Sequence, residues 1–297
     1  MSNIAPKRDH TDFIQSASVT ALMRALLAET KDCLENPDFL AKHFVSAPWS
    51  DFLKNSQQAR NNLQERVPGC MYYHLVRTKQ FDESLLNWIK NKQDGQIIIL
   101  GAGFDSRHLR FKELLTNHQV YEFDLPTMIE YKKKVIKNTF DINQQPVTQY
   151  IAINFHEESL IDSFHPVGIL RNKATLILWE GVTYFLEEKT TTEILSSLSK
   201  FFEAELQIVF DYAYADYING NLSYYGAKEL ARELQAIGEP HLFGVDPVEI
   251  EDFAKKLNYT VRNNYPAKAL EKKYLQADGG LLAHIHGFHG IVELAKA

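Results

Sequence analysis

The chain has little of what marks several large classes of protein. Only two of its 297 residues are cysteines, Cys33 and Cys70, and they fall in no ligand or redox spacing. A disulfide framework and a cysteine-held metal centre are thereby excluded, and the thiols are expected reduced, as in a cytoplasmic protein. No apolar run approaches the roughly 18 residues a membrane span needs, and the first residues, MSNIAPKRDH, carry no apolar signal core. Basic charge is scarce too: 32 Lys and Arg against 38 Asp and Glu give a formal charge of -6. That balance argues against a nucleic-acid partner, because phosphate binding needs clustered Lys and Arg. The densest basic cluster, Lys132, Lys133, Lys134 and Lys137, reads as the solvated face of a helix. Repeats and low-complexity tracts are missing as well.

What remains is an ordinary globular composition, 45% hydrophobic and 24% charged, in a chain long enough to bury a full core. The first ninety residues carry helical spacing: Val19, Leu22, Met23, Leu26 and Leu27 share one face, and Phe81, Leu85, Leu86 and Ile89 another. From Gln96 short apolar runs alternate with helical patterns: QIIIL (96–100), VYEFD (120–124), QYIAINF (149–155), TLILWE (175–180) and LQIVFDY (206–212). Such runs suit strands buried on both faces, and their alternation with helices predicts parallel pairing with right-handed crossovers. The expected fold is α/β, a Rossmann-like doubly wound, mostly parallel sheet. Residues 1–90 would form an N-terminal helical lid on a core of residues 91–297, all one compact unit. A Tyr-, Gly- and Asn-rich insertion, 213–246, would shape a substrate pocket. LLAHIHGFHGIVEL, near the C-terminus, is expected to close the sheet as an antiparallel edge.

In an open α/β sheet the ligand sits beyond the carboxyl ends of the strands, at the switch point. IIILGAGFDSRHLRF places Gly101 and Gly103 there, where the lack of a Cβ lets backbone approach a ligand. A dinucleotide site would want a third small residue, preferably glycine, at 106; this chain has Ser106. Asp105 would also repel a pyrophosphate, whereas a cationic ligand such as S-adenosylmethionine would welcome it. Asp124 lies 23 positions after Gly101, near the spacing of a ribose-hydroxyl acceptor, with Glu122 as the alternative. Glu180 ends a further apolar run at the same edge. Asp105, Asp124 and Glu180 together are expected to form a negative rim beside one crevice.

LGAGFDSRHLRF, VYEFDLPTMIEYKK and LILWEGVTYFL resemble, in order and spacing, three signature segments of the leucine carboxyl methyltransferase family. The likeness runs from Val19 to Tyr212, about two-thirds of the chain, and DLP after the second strand is its most specific element. It implies a class I S-adenosylmethionine-dependent O-methyltransferase. On the matching positions, Gly101 and Gly103 would line the cofactor's methionine part, Asp105 would belong to the loop, Asp124 would hold the ribose and Glu180 would sit at the amino-acid end. Arg77, in LVRTKQFD, matches a family arginine that pairs with the cofactor carboxylate. One departure stands out: where the family has an acidic residue meeting the adenine amino group, this chain has Asn154, followed by Phe155. An Asn carbonyl can still accept from that group.

The acceptor is less defined. A carboxylate needs no base, whereas a hydroxyl benefits from one. His108 and Tyr184 are candidates near the edge, and Tyr212, Tyr214, Tyr224 and Tyr225 are candidates for an aromatic pocket, so no catalytic residue is assigned. The Tyr-rich segment favours a small-molecule substrate over a protein tail. HIHGFH would place His284 and His286 on one strand face, but no acidic or Cys partner accompanies them, so no metal is expected. The competing readings are a protein C-terminal carboxyl methyltransferase, an NAD-dependent oxidoreductase and a non-catalytic cofactor-binding protein. The sequence sets no oligomeric state.

Overall fold

The apolar run before the glycine loop forms the middle of a seven-stranded sheet. The computed structural model describes residues 10–30, 34–141 and 148–297; Cys33 and the first nine residues lie outside these. Three helices come first: α1 (His10–Ala28), α2 (Ser56–Arg66) and α3 (Cys70–Asn91). The parallel strands are β1 (Gly95–Leu100), β2 (His118–Asp124), β3 (Thr148–Ala152), β4 (Thr175–Trp179) and β5 (Leu206–Ala213). Between them run α4 (Arg107–Arg110), α5 (Pro126–Thr139) and α6 (Glu188–Phe201). The 213–246 segment holds α7 (Ala215–Ile218) and α8 (Ala227–Ala236). The chain then forms α9 (Ile250–Lys256), β6 (Tyr259–Pro266), α10 (Ala267–Tyr274), a two-stranded hairpin of β7 (Gln276–Ala277) and β8 (Gly280–Leu281), and finally β9 (His289–Lys296).

The sheet order is β3-β2-β1-β4-β5-β9-β6. It reverses direction between β1 and β4, so the crevice expected of a doubly wound sheet opens where Gly101 and Glu180 follow their strands. β1, β4 and β5 are buried along their whole length, as their apolar runs require. β3 is not: only Ile151 is buried, because β3 is the sheet's edge and needs just one covered face.

Two further expectations need correction. β9 is antiparallel, yet it lies inside the sheet between β5 and β6, and β6 is the edge. Gly290 permits this: a Cβ there would come within 2.5 Å of the Tyr212 ring. The ring therefore passes across β9, and its hydroxyl donates to Asn264 Oδ1 on β6 at 2.6 Å. His284 and His286 precede the strand, which begins at His289, so the alternating-face argument does not apply to that pair. His284 is exposed beside Glu271, whereas His286 and His289 are buried.

Lys132 is the second correction. It continues the inward stripe of Met128, Ile129 and Ile136, is fully buried, and sits 2.5 Å from Glu122 on β2; only Lys133, Lys134 and Lys137 face solvent. His108 Nδ1 lies 2.8 Å from the other Glu122 oxygen, and Tyr150 hydroxyl lies 3.2 Å from His108 Nε2. Glu122 is therefore engaged under the sheet, and His108 faces it and not the crevice. Lys132→Met strands the buried carboxylate, so it is expected to lower stability by about 3–5 kcal/mol, while Lys132→Met with Glu122→Gln recovers most of it. Urea unfolding of both variants checks this; equal losses in the single and the double would refute the pairing.

Candidate functional site at the carboxyl edge

The loop after β1 turns sharply, with Gly101 and Gly103 in the left-handed region at φ +61° and +43°. Gly101 has no room for a Cβ, which would overlap Val182, whereas a Cβ on Gly103 would meet nothing closer than 3.9 Å. The loop is therefore pinned at Gly101, while Gly103 lies under α1, a Cβ there falling in ordinary contact with Ala17 Cβ at 4.0 Å. Asp124 fixes it from the neighbouring strand: one carboxylate oxygen accepts the Gly103 N–H at 2.6 Å and the other the Leu125 N–H at 2.7 Å. Burial pushes this carboxyl up to about 6 despite those two donors. No ion pair to Asp124 exists among the described residues, and both oxygens keep a lone pair.

The other two acids of the expected rim are paired, which corrects the picture of an open negative edge. Asp105 binds the Arg107 side chain at 2.5 Å and its backbone N–H at 2.7 Å. Burial disfavours its charge, yet Arg107 outweighs this and holds the carboxyl well below its usual range. Glu180 bridges Arg77 at 2.9 Å and Arg107 at 2.7 Å; here too the two guanidiniums overcome burial and lower the pKa. The network extends outward through Arg107 and Arg110 to Asp82, and through Arg24 and Ser106 to Asp38. Arg24 also donates to the Phe104 carbonyl at 2.9 Å. The N-terminal helices are thus tied to the glycine loop by charge as well as by apolar packing.

Arg77, on α3, is 3% exposed and enters the site from beneath. Besides Glu180 it donates to Asp211 at 3.1 Å, to the Tyr184 hydroxyl at 2.8 Å, and lies 3.0 Å from His74 Nδ1. Asp211 is a hub that sequence reasoning missed. It accepts from Arg77, the Tyr73 and Tyr184 hydroxyls and the Gly181 N–H. Burial raises its pKa, and Arg77 offsets only part of the rise. The signal was present: Asp211 interrupts the apolar run LQIVFDY near a strand's carboxyl end, as Asp124 and Glu180 do in theirs.

Asn154 and Phe155 follow β3 at the same edge, because Ala152 pairs with Asp124. Asn154 Oδ1 accepts the His156 N–H at 3.1 Å and so caps a turn with one of its two lone pairs. Tyr212, Tyr214 and Tyr224 pack ring against ring, with centroids 6.1 and 5.6 Å apart, and their hydroxyls are engaged away from the glycine loop. Tyr212 reaches β6, Tyr214 accepts the Ala267 N–H, Tyr224 donates to Asp216, and Tyr225 is 43% exposed. Only Tyr184, of the tyrosines named from sequence, joins the site.

A Mycobacteroides abscessus protein, provisionally named an S-adenosyl-L-methionine-dependent methyltransferase, is 33% identical over 135 residues, 43% of each chain. A Streptomyces coelicolor protein of the same provisional name is 24% identical over 220 residues, 67% of each chain. The match thus spans about two-fifths of the first relative and two-thirds of the second. Among solved structures, a DUF574-family protein from Streptomyces avermitilis superposes with TM-score 0.61 at 12% identity, covering 96% of this chain and 100% of that one. A Thermobifida fusca protein gives 0.59 at 11% identity, covering 99% of both. These two share the fold. The family model for leucine carboxyl methyltransferase matches residues 17–199, a span that contains the glycine loop, Asp124 and the Arg77–Glu180 pair; the chain belongs to the leucine carboxyl methyltransferase family.

Proposed function

We propose that the protein is an S-adenosylmethionine-dependent O-methyltransferase acting on a small molecule. The observation that carries the reading is Asp124: a carboxylate anchored by two backbone N–H groups, free of any ion pair among the described residues, with lone pairs left for a ribose diol. It stands beside the glycine loop, whose Gly103 N–H it holds. A pyrophosphate does not fit here. Arg24, Arg77, Arg107 and Arg110 are already paired with carboxylates, so no unshared guanidinium among them is left to neutralise a diphosphate. The relatives' provisional names and the family membership support the same choice.

In this reading Gly101 and Gly103 lie along the methionine part, with Asp105 bracing their loop. Glu180 faces its ammonium. Arg77 has used all but one of its five N–H donors; the remaining Nη2 hydrogen is left for the cofactor carboxylate. Asn154 Oδ1 and Phe155 meet the adenine. When bound, the cofactor supplies an electrophilic methyl on a sulfonium. The chain's share is positioning and exclusion of water. α1 covers the loop, with Ala17 Cβ 4.0 Å from where a Gly103 Cβ would lie. Ser16 donates to Glu239 at 2.9 Å, joining α1 to the insertion across the edge. A peptide tail would have to part that contact, which a compact acceptor leaves in place, so helices α1–α3 act as a lid and 213–246 as its counterpart.

Calorimetric titration with S-adenosylhomocysteine and, in parallel, NADH tests the cofactor: binding of the first alone is expected, and binding of NADH alone would overturn the reading. The same titration carries a pH signature. The Asp124 carboxyl is raised to about 6, and its ionised form is the one with two accepting oxygens. Affinity is therefore expected to hold above pH 6 and to fall by about tenfold for each unit below it. A flat profile down to pH 5 would remove Asp124 from the contact.

A further inference from the structure

Four histidines converge beside the Arg77–Asp211 node from three parts of the chain. His74 comes from α3, His241 from the insertion, His286 from the segment that leads into β9, and His289 from the first position of β9. Their rings interleave with two tyrosines. Tyr73 stacks on His289 with ring centroids 4.6 Å apart, and Tyr184 lies 4.5 Å from His241 and 5.2 Å from His289. His289 is also 5.4 Å from both His241 and His286. Both tyrosine hydroxyls are spent on Asp211.

The imidazoles are a different matter. Both ring nitrogens of His286, both of His289 and Nδ1 of His241 are buried without a hydrogen-bond partner in the protein. Five such atoms in one place are unusual, since buried polar groups are paired almost everywhere, with water or ligand where protein offers nothing. Among the described residues no group of three or more His, Cys, Asp or Glu side chains is arranged to hold a metal. Burial lowers the pKa of His241 and His286 to about 3, and pushes His289 down as well, with Arg77 adding to the effect at His286 and His289. The rings are therefore neutral at pH 7, each with one donor and one acceptor nitrogen.

We infer that His241, His286 and His289 form the wall that takes the methyl acceptor, and that this acceptor presents a hydroxyl, phenolic or alcoholic, and no carboxylate. The inference rests on the methyltransferase reading above. Its chemistry is local. An acceptor hydroxyl donates to a neutral imidazole nitrogen and can accept from another ring's N–H. A carboxylate would enter beside Asp211 and Glu180, where Arg77 is already shared between those two acids. It would lose its water, and the one N–H that Arg77 has left is the one assigned above to the cofactor carboxylate. The position suits an acceptor, because the ring cluster adjoins Arg77 while Asp124 and the glycine loop lie on the other side of Glu180.

The test uses full-length protein with ¹⁵N-labelled histidine, saturated with S-adenosylhomocysteine, and two probes of similar shape, phenol and benzoate. Ring-nitrogen resonances of His241, His286 and His289 are expected to shift with phenol, at an affinity at least tenfold tighter than for benzoate. His289→Phe keeps the stacked ring and removes both nitrogens; it is expected to bind S-adenosylhomocysteine as before and to weaken phenol at least tenfold. Silence toward phenol, equal response to benzoate, or an unchanged phenol response in His289→Phe overturns the inference. A purely packed aromatic core would give the last result together with a raised melting temperature. Failure of S-adenosylhomocysteine to bind would instead strike the methyltransferase reading itself, so the two outcomes are separable.

Discussion

Asp124→Ala is expected to abolish S-adenosylhomocysteine binding while leaving the protein folded. Two hydrogen bonds from a ribose diol to an ionised carboxylate are worth about 1.5–3 kcal/mol each, so the loss should be on the order of a hundredfold or more. Folding should change far less. The variant leaves the Gly103 and Leu125 N–H groups without their acceptor, but it also removes a carboxyl whose burial disfavours its charge. Those two terms oppose each other above pH 6. Calorimetry paired with a thermal melt reads both quantities. An affinity within tenfold of the parent would mean that the ribose is held elsewhere, with Asp124 serving only to brace the loop.

The second large effect is on stability. Arg77→Met takes the guanidinium from between Glu180, largely buried, and Asp211, fully buried. Glu180 keeps Arg107, whereas Asp211 keeps only hydroxyl and backbone donors. Breaking a buried pair from one side costs about 3–5 kcal/mol. For a chain of this size that corresponds to a fall in melting temperature on the order of 10 °C. Arg77→Lys should not rescue it, because one ammonium cannot reproduce a planar fork that meets Glu180, Tyr184, Asp211 and His74 at once. The additional variant Arg77→Met with Asp211→Asn should regain part of the loss, since the uncompensated charge has gone. A melting temperature unchanged in Arg77→Met would show that the network contributes no net stability. Differential scanning calorimetry of the three variants decides this.

Much of the candidate site can be read from the sequence. Gly101, Gly103, Asp124 and Glu180 were found by one rule: a residue that breaks an apolar run at a strand's carboxyl end faces the crevice of a parallel sheet. The same rule would have found Asp211 had it been applied to the fifth run. Arg77 was reached only through family resemblance, because a lone arginine in a helix has no local signature. Lys132 was misread for a related reason. Its neighbours Lys133, Lys134 and Lys137 are solvated, and a run of like charges hides the one member that falls on the helix's inward stripe.

The sequence by itself determined the strand–helix alternation, the parallel sheet, the glycine loop and the acids at its edge. These follow from periodicity and from the backbone freedom of glycine, both of which are local. Only the tertiary structure decided that Asp105 and Glu180 are neutralised by Arg107 and Arg77 while Asp124 has no ion pair among the described residues. It alone placed β9 inside the sheet, and it alone gathered four histidines from positions 74 to 289 into one buried cluster. Charge pairing and side-chain convergence depend on distances between residues far apart along the chain, and no local pattern encodes those distances.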